Sequence, residues 1–263
     1  MAFVGFVCLT CLHHVTQLLL SLIMYALMTA KVSFGCFSPK KICSVLAFIS
    51  FSFFALHCAS EALINFGGVS ERFYQDFFDA INLDEEFNLT AIYSGVLLCV
   101  SSFLLKQIAL SCRGSDIRGW MLLSKVFLFL AFDEVFQVHE IFVISDLRRY
   151  VHPALASIWV VPYGILFVLF ALKFVPFFLK LRRRVALSAL IAGGVYVTGA
   201  IAFEALNSWL VRTGQISRSG FYYELISGFE ELFEMLGVII FLYALLLELR
   251  SRFVQLEYNF TVK

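Results

Sequence analysis

The sequence predicts an all-α integral membrane protein, a polytopic bundle of about seven transmembrane helices, with its N-terminus outside and its C-terminus in the cytoplasm. Three observations predict this class. The chain is 61% hydrophobic and has 15% charged residues, whereas soluble domains average about 45–50% apolar residues. Its mean hydropathy is +0.88. Its apolar residues form long runs, and hydrocarbon requires each such run to satisfy its own backbone polar groups, as a helix does.

A helix needs about 20 apolar residues to cross the hydrocarbon core of a bilayer. Seven segments meet this requirement, and we predict one helix from each: 3–29, 42–66, 89–110, 120–144, 154–176, 185–210 and 222–248. The connections are short except for 67–88, a mixture of aromatic and acidic residues that we expect to lie at the membrane interface. No linker or shift in composition marks a boundary, so we expect residues 1–263 to form a single transmembrane domain.

Individual segments carry further signals. Segment 3–29 contains no Lys or Arg and is longer than the apolar core of a secretory signal, so we expect it to stay in the mature protein. Pro162 and Pro176 shape or end the helix in segment 154–176. Small residues from Gly194 to Ala202 favour close approach of segment 185–210 to a neighbouring helix.

Basic residues are distributed unevenly between the connections. Most of the 20 Lys and Arg residues share one side, and the other side has Arg72, Arg148, Arg149, Arg212 and Arg218. Cytoplasmic loops are enriched in Lys and Arg, so the basic side is predicted to be cytoplasmic. We expect a plasma membrane, specifically a bacterial inner membrane. The net charge of +1 gives no signal for nucleic acid, so the predicted partner is the lipid bilayer.

Ionisable residues recur inside the predicted helices, where each charge costs at least about 2.5–3.5 kcal/mol at the membrane centre. They are His13, His14, His57, Glu61, Asp133, Glu134, Glu140, Glu204, Glu230, Glu231 and Glu234. At about 1.5 Å per residue, all of them lie in the half of the membrane predicted to face outside. Apart from Lys106 and Lys173, which are counted with the basic side, Lys125 is the basic residue within these segments, and it can extend to the inner surface. Salt bridges therefore cannot neutralise the acids.

Two of the segments share an acidic motif. Residues 132–137 read FDEVFQ and residues 229–234 read FEELFE. The two predicted helices run in opposite directions. Antiparallel helices with matching acidic motifs are the arrangement by which helix bundles build two-metal carboxylate sites. The pattern favours neighbouring positions for these two helices.

Eight buried acids need protons, water or cations to offset their charge. Our leading hypothesis is a divalent-metal site for iron, manganese or zinc, the ions that carboxylate and imidazole ligands suit. Its main ligands would be Asp133, Glu134, Glu140, Glu230, Glu231 and Glu234, and its outer ligands His57, Glu61, Glu204 and His13 or His14. An open position on the metal would let it activate water or oxygen on a lipid-like small molecule, so an enzyme is one expectation.

Two alternatives stay open at this stage. The first is a cation or proton transporter or channel that uses the same acids as a relay. The second is a structural or partner-binding membrane protein, in which protonated or hydrogen-bonded acids only fasten the helices together.

Overall fold

The computed structural model describes residues 38–68, 78–84, 88–112, 116–136, 138 and 150–261, with side chains as far as Arg252. The predicted helix 3–29 lies outside these residues. Within the described ranges the chain forms helices, turns and loops, with no β-strand. This confirms the all-α class.

The described α-helices follow the predicted segments in order. They are α1 (Pro39–Phe66), α2 (Leu89–Ser111), α3 (Asp116–Phe136), α4 (Val160–Phe178), α5 (Arg183–Val197), α6 (Glu204–Arg212) and α7 (Phe221–Thr261). A 3-10 turn, Pro153–Leu155, precedes α4, which is why α4 begins later than the predicted segment 154–176. A π-helical segment, Thr198–Phe203, joins α5 to α6 without a break.

Five helices of the described chain are long and apolar enough to cross a membrane. They are Pro39–Phe66, Leu89–Ser111, Val160–Phe178, Arg183–Arg212 and Phe221–Arg252. The segment 120–144 is helical from Asp116 to Phe136, and its continuation at 137 and 139–149 lies outside the described residues. The helices agree with an integral membrane protein, and the exact number of spans stays a prediction.

Apolar side chains cover the outside of the bundle. On α4, Ile165, Leu166, Leu169 and Leu172 are each more than half exposed within the protein. Contiguous exposed apolar surface of this kind marks contact with a membrane or a partner. On a helix of this length and hydropathy, it is the surface that lipid would cover.

Helix α7 lies at the centre of the described bundle. It packs against α1, α2, α5 and the π segment, and its side chains Met235, Leu242 and Leu245 are almost fully buried. Helix α2 packs against both α3 and α7. The core of the protein therefore follows α7, with α2 beside it.

Glycine allows α7 to approach its neighbour at backbone distance. A Cβ atom added to Gly199 would lie 2.7 Å from the carbonyl oxygen of Glu230, and one added to Gly237 would lie 2.8 Å from the backbone nitrogen of Tyr196. A Cβ atom on Gly194 would meet nothing within 4 Å. The small-residue signal in segment 185–210 thus predicted a close approach correctly, but Gly199 makes it instead of Gly194.

At one end of the bundle, contacts join residues in or near the connections that are rich in Lys and Arg, which the sequence predicts to share one side of the membrane. Trp120 packs edge-to-face on Phe177 with ring centroids 5.2 Å apart, and Arg252 Nη1 donates to Cys112 Sγ at 3.0 Å. At the opposite end, Phe66 packs against Phe221 at 5.2 Å. These contacts agree with the alternating path of the predicted helices. Which end faces the cytoplasm stays a prediction.

The basic end also holds a buried acid that the sequence patterns did not single out. Glu248 Oε1 accepts a hydrogen bond from Arg252 Nε at 2.7 Å, and its Oε2 lies 3.6 Å from Arg182 Nε. The spacing of Glu248 and Arg252, four residues on one helix, was the signal available for this pair. Arg182 precedes α5, so the ion pair ties the end of α7 to the α4–α5 turn.

The glycine contact can be tested by substitution. We expect Gly199→Ala to lower stability by about 1–3 kcal/mol, because the new methyl group meets backbone atoms that cannot move aside cheaply. The matched control is Gly193→Ala, which adds a methyl group to the same continuous helix where nothing lies within 4 Å. Thermal unfolding of the detergent-purified variants measures the difference. Equal stabilities for the two variants would contradict the contact.

The ion pair gives a second test. We expect Glu248→Ala to cost about 1–3 kcal/mol, since it leaves two guanidinium groups without their carboxylate partner, although the exposure of Arg182 weakens its share. Arg250→Ala, at an exposed position of the same helix, should change stability by less than about 0.5 kcal/mol. Denaturant unfolding compares the two, and similar values would show that the ion pair contributes nothing measurable.

Candidate functional site

The structure describes eight of the predicted site residues. Glu140, His13 and His14 lie outside the described residues. The other eight divide into a central group in the bundle interior, a neighbouring pair between α6 and α7, and residues on α1. Each group uses its side chains differently.

The central group lies at a small cavity between α2, α3, α5 and α7. The cavity is about the size of one water molecule. It is lined by Ser94, Leu97, Leu98, Glu134, Tyr196, Glu234, Met235 and Val238. The motifs FDEVFQ and FEELFE therefore do meet in space, through the second acid of the first and the last acid of the second.

Three carboxyl groups interact at this cavity. Glu134 and Glu234 are the strongest electrostatic neighbours of Glu231, and Glu134 is also the strongest for Glu234. The Tyr196 hydroxyl interacts with the Glu234 carboxyl group. Like charges this close cannot all be retained in an apolar interior without protons or a cation. The arrangement can therefore take up and release positive charge.

Asp133 lies at the edge of this group. It is buried, and its Oδ1 accepts a hydrogen bond from the Tyr163 hydroxyl on α4 at 3.0 Å. The neighbouring Phe132 and Phe136 are exposed and pack on one another with centroids 4.3 Å apart. At this end, helix α3 thus turns Phe132 and Phe136 outward and its two acids inward. Asp133 still acts electrostatically on Glu234.

Glu204 and Glu230 form the neighbouring pair. Glu204 is the strongest electrostatic neighbour of Glu230. Its Oε1 accepts a hydrogen bond from Ser208 at 3.3 Å, and Ser208 is hydrogen-bonded in turn to Ser157 at 2.9 Å. The pair lies closer to the α6–α7 connection than the central group does, and serines orient one of its two carboxyl groups.

His57 holds three parts of the fold together. Its Nδ1 accepts from the backbone nitrogen of Leu83 at 3.2 Å, which leaves the proton on Nε2, and Nε2 donates to the carbonyl oxygen of Glu224 at 2.9 Å. The side chain is completely buried. Both ring nitrogens are therefore used for structure, and His57 is not among the ligands proposed below.

Glu61 also lies on α1, apart from the cavity lining. It is buried, and its Oε2 accepts a hydrogen bond from Asn65 on the same helix at 3.3 Å.

Several polar residues of the site escaped the sequence analysis. Tyr196 contacts Glu234, Tyr163 contacts Asp133, and Ser94 lines the cavity. The chain has 10 Tyr, and nothing in the local sequence separates these two from the others. The usable signal for Tyr196 was its place in the helix that also carries Glu204, two turns away.

The predicted metal site has no direct support in the geometry. Within the described residues, no group of three or more His, Cys, Asp or Glu side chains has a metal-binding arrangement. The predicted ions, iron, manganese or zinc, stay predictions.

Comparison with known proteins identifies a family and no activity. A family model described as a domain of unknown function, DUF8692, matches residues 44–249. The match runs from within α1 into α7, ending twelve residues before the end of that helix, and includes the cavity and the Glu204–Glu230 pair. No curated protein and no solved structure matches the chain.

The structural role of His57 predicts the effect of its loss. We expect His57→Leu to lower stability by about 2–5 kcal/mol, because the Leu83 N–H and the Glu224 carbonyl both lose their partner in a buried site. His152→Leu, at an exposed position, is the control and should cost much less. Thermal unfolding measures both variants. If His57→Leu folds normally and instead loses a metal that the wild type carries, His57 is a ligand.

Proposed function

The chain belongs to the DUF8692 family, and we propose that this member is an integral membrane protein that binds a cation at the carboxyl groups of Glu134, Glu231 and Glu234. One observation carries the proposal: these carboxyl groups from two helices interact beside a water-sized cavity, within an apolar bundle. Glu134, Glu231 and Glu234 are each half-buried within the protein, and holding three carboxyl groups together inside an apolar bundle has an electrostatic cost that a structural role alone does not require.

Charge balance links the cation to protons. Without a cation, the three carboxyl groups must hold protons, because two or three ionised carboxylates repel strongly where the dielectric constant is low. A cation that binds there displaces those protons. The proposed chemistry is therefore exchange of protons for a cation.

A divalent metal ion is our first candidate for that cation. The polar groups at the cavity are carboxyl and hydroxyl oxygens, from Glu134, Glu234, Tyr196 and Ser94. Oxygen donors suit manganese and iron(II) better than they suit copper(I). The carboxyl groups do not form a metal-binding arrangement as they stand, so the proposal includes a shift of these side chains toward the ion.

The surrounding structure supports a pocket with one opening over a continuous channel. Beyond Glu234, the buried face of α7 continues with Val238, Leu242 and Leu245, and the next buried acid of that helix is Glu248, at the other end of the bundle. Charged or protonated species would meet an apolar layer about 20 Å long, at about 1.5 Å per residue.

Transport is the second candidate. It is supported by the succession of acids Glu204, Glu230 and Glu234, each an electrostatic neighbour of another. Transport through the apolar layer would require a second conformation that opens the Glu248 end. An enzyme that acts on a lipid-like molecule, and a location in the bacterial inner membrane, stay predictions from the sequence.

The proposal predicts that two amide substitutions remove cation binding. We expect purified wild type to bind Mn²⁺, Fe²⁺ or Zn²⁺ at neutral pH, and Glu231→Gln with Glu234→Gln to lower the bound metal at least about tenfold. Amides keep the shape of the side chains and remove their charge. Metal analysis and thermal stabilisation by added metal are the measurements. Asp116→Asn, which removes an exposed carboxyl group at the other end of α3, is the control.

The same measurements should depend on pH. Protons compete with the metal for the carboxyl groups, so metal affinity should weaken as pH falls. A wild-type protein that binds none of these ions at neutral pH, and gains no thermal stability from them, would exclude the metal. Loss of metal in the control variant as well would place the binding elsewhere.

A further inference from the structure

A buried amide between α6 and α7 has one oxygen without a partner. Asn207 is 2% exposed. Its Nδ2 donates to the carbonyl oxygen of Tyr223 at 3.3 Å and to Ser227 Oγ at 3.0 Å. Its Oδ1 is buried and accepts no hydrogen bond from the described residues. A buried acceptor oxygen destabilises a membrane protein unless a hydrogen-bond donor or a cation binds it.

The orientation of this amide follows from its contacts. A backbone carbonyl oxygen can only accept, so the nitrogen of Asn207 must face Tyr223. Both hydrogen bonds of Nδ2 go to α7, which places the attached Oδ1 at the α6–α7 interface as well. The atom of the amide without a partner is therefore its oxygen.

Two acids lie one helical turn from this amide. Glu204 precedes Asn207 by three residues on α6, and Glu230 follows Ser227 by three residues on α7, so each shares a helix face with its neighbour. Glu204 and Glu230 interact across the interface, and the strongest electrostatic neighbours of Glu230 are all acids. The amide oxygen and the two carboxyl groups thus lie on successive turns of the same interface, and all three offer oxygen atoms.

We infer that Asn207 Oδ1, Glu204 and Glu230 form a second cation-binding position, through which a divalent ion that prefers oxygen ligands reaches Glu234. This inference rests on the proposed function and narrows its ion. The donors are amide and carboxylate oxygens, with the Ser227 hydroxyl beside them, and such sets select manganese, magnesium or calcium over ions that favour nitrogen or sulfur. Of iron, manganese and zinc, this position favours manganese.

The acids continue from this position to the surface. Asp84 is exposed, and it is an electrostatic neighbour of both Glu230 and Glu231. A line of acids that begins at an exposed residue raises the local concentration of cations at its mouth, so ions would reach the second position from the Asp84 side.

The probe is Mn²⁺, followed by electron paramagnetic resonance during titration of the detergent-purified full chain at neutral pH. We expect Glu230→Gln and Asn207→Leu each to weaken Mn²⁺ binding at least about tenfold. Asn65→Leu is the matched control, since it removes an amide on α1 that contacts Glu61. Asn207→Leu also removes two structural hydrogen bonds, so Glu230→Gln, which keeps the shape of its side chain, decides the matter if the first variant does not fold.

The outcomes separate this inference from the proposed function. One outcome is that Glu231→Gln with Glu234→Gln weakens Mn²⁺ binding, while Glu230→Gln and Asn207→Leu bind like wild type. In that case a water molecule hydrogen-bonds to Asn207 Oδ1, and the second position is overturned. If wild type binds Zn²⁺ or Fe²⁺ but not Mn²⁺, the proposed function stands and this inference fails. If wild type binds none of the three ions, both fail.

Discussion

The backbone contact between α7 and the helix formed by α5, the π segment and α6 is the constraint on which the polar interior depends. Gly199 lies against Glu230 and Glu234, and Gly237 lies against Tyr196. Because the two helices touch there, the Tyr196 hydroxyl reaches Glu234. A larger residue at either glycine would separate the helices and pull these polar groups apart. Hydrocarbon holds no water molecules that could replace the lost contact.

Lipid surroundings impose a second demand, that each buried polar group finds a partner within the protein. Ser102 and Ser124 meet it reciprocally, since each hydroxyl donates to the carbonyl oxygen of the other residue at 2.7 and 2.9 Å. The Tyr93 hydroxyl donates to the carbonyl oxygen of Leu46 at 2.8 Å. These groups, like His57, fasten helices. The central acids and Asn207 differ, because their protein contacts leave charge or an acceptor oxygen to be satisfied.

The sequence was sufficient to predict where the described helices lie and which of them carry acidic residues. It was not sufficient to predict which polar side chains contact one another. Apolar runs locate helices because hydrocarbon admits little else, whereas the side of the membrane that each connection faces stays a prediction. The sequence predicted Asp133 and Glu134 as ligands together and could not tell which of the two lines the cavity, and it is Glu134 that does. The rotation of α3 is set by distant contacts, such as Gly95 against Val135 and Phe127 stacked on Phe241 at 4.7 Å.

Long-range partners were also beyond the reach of local patterns. His57 accepts from Leu83 in a connection 26 residues away, and its other partner, Glu224, is further along the chain. The sequence predicted that His57 is a metal ligand, because it lies four residues before Glu61 in a predicted helix. What decides its role is the pair of backbone groups that the fold brings to its two nitrogens.

The π segment Thr198–Phe203 has a consequence for how chains of this kind can diverge. A π turn accommodates one more residue than the α-helical turn that it replaces, so it behaves as a single-residue insertion within a continuous span. Deleting one residue there would restore a regular helix and rotate everything beyond it by about 100° relative to α5. Tyr196 would keep its place beside Glu234, while Glu204 and Asn207 would leave α7. One codon thus separates a span that carries both polar groups from one that carries only the inner group.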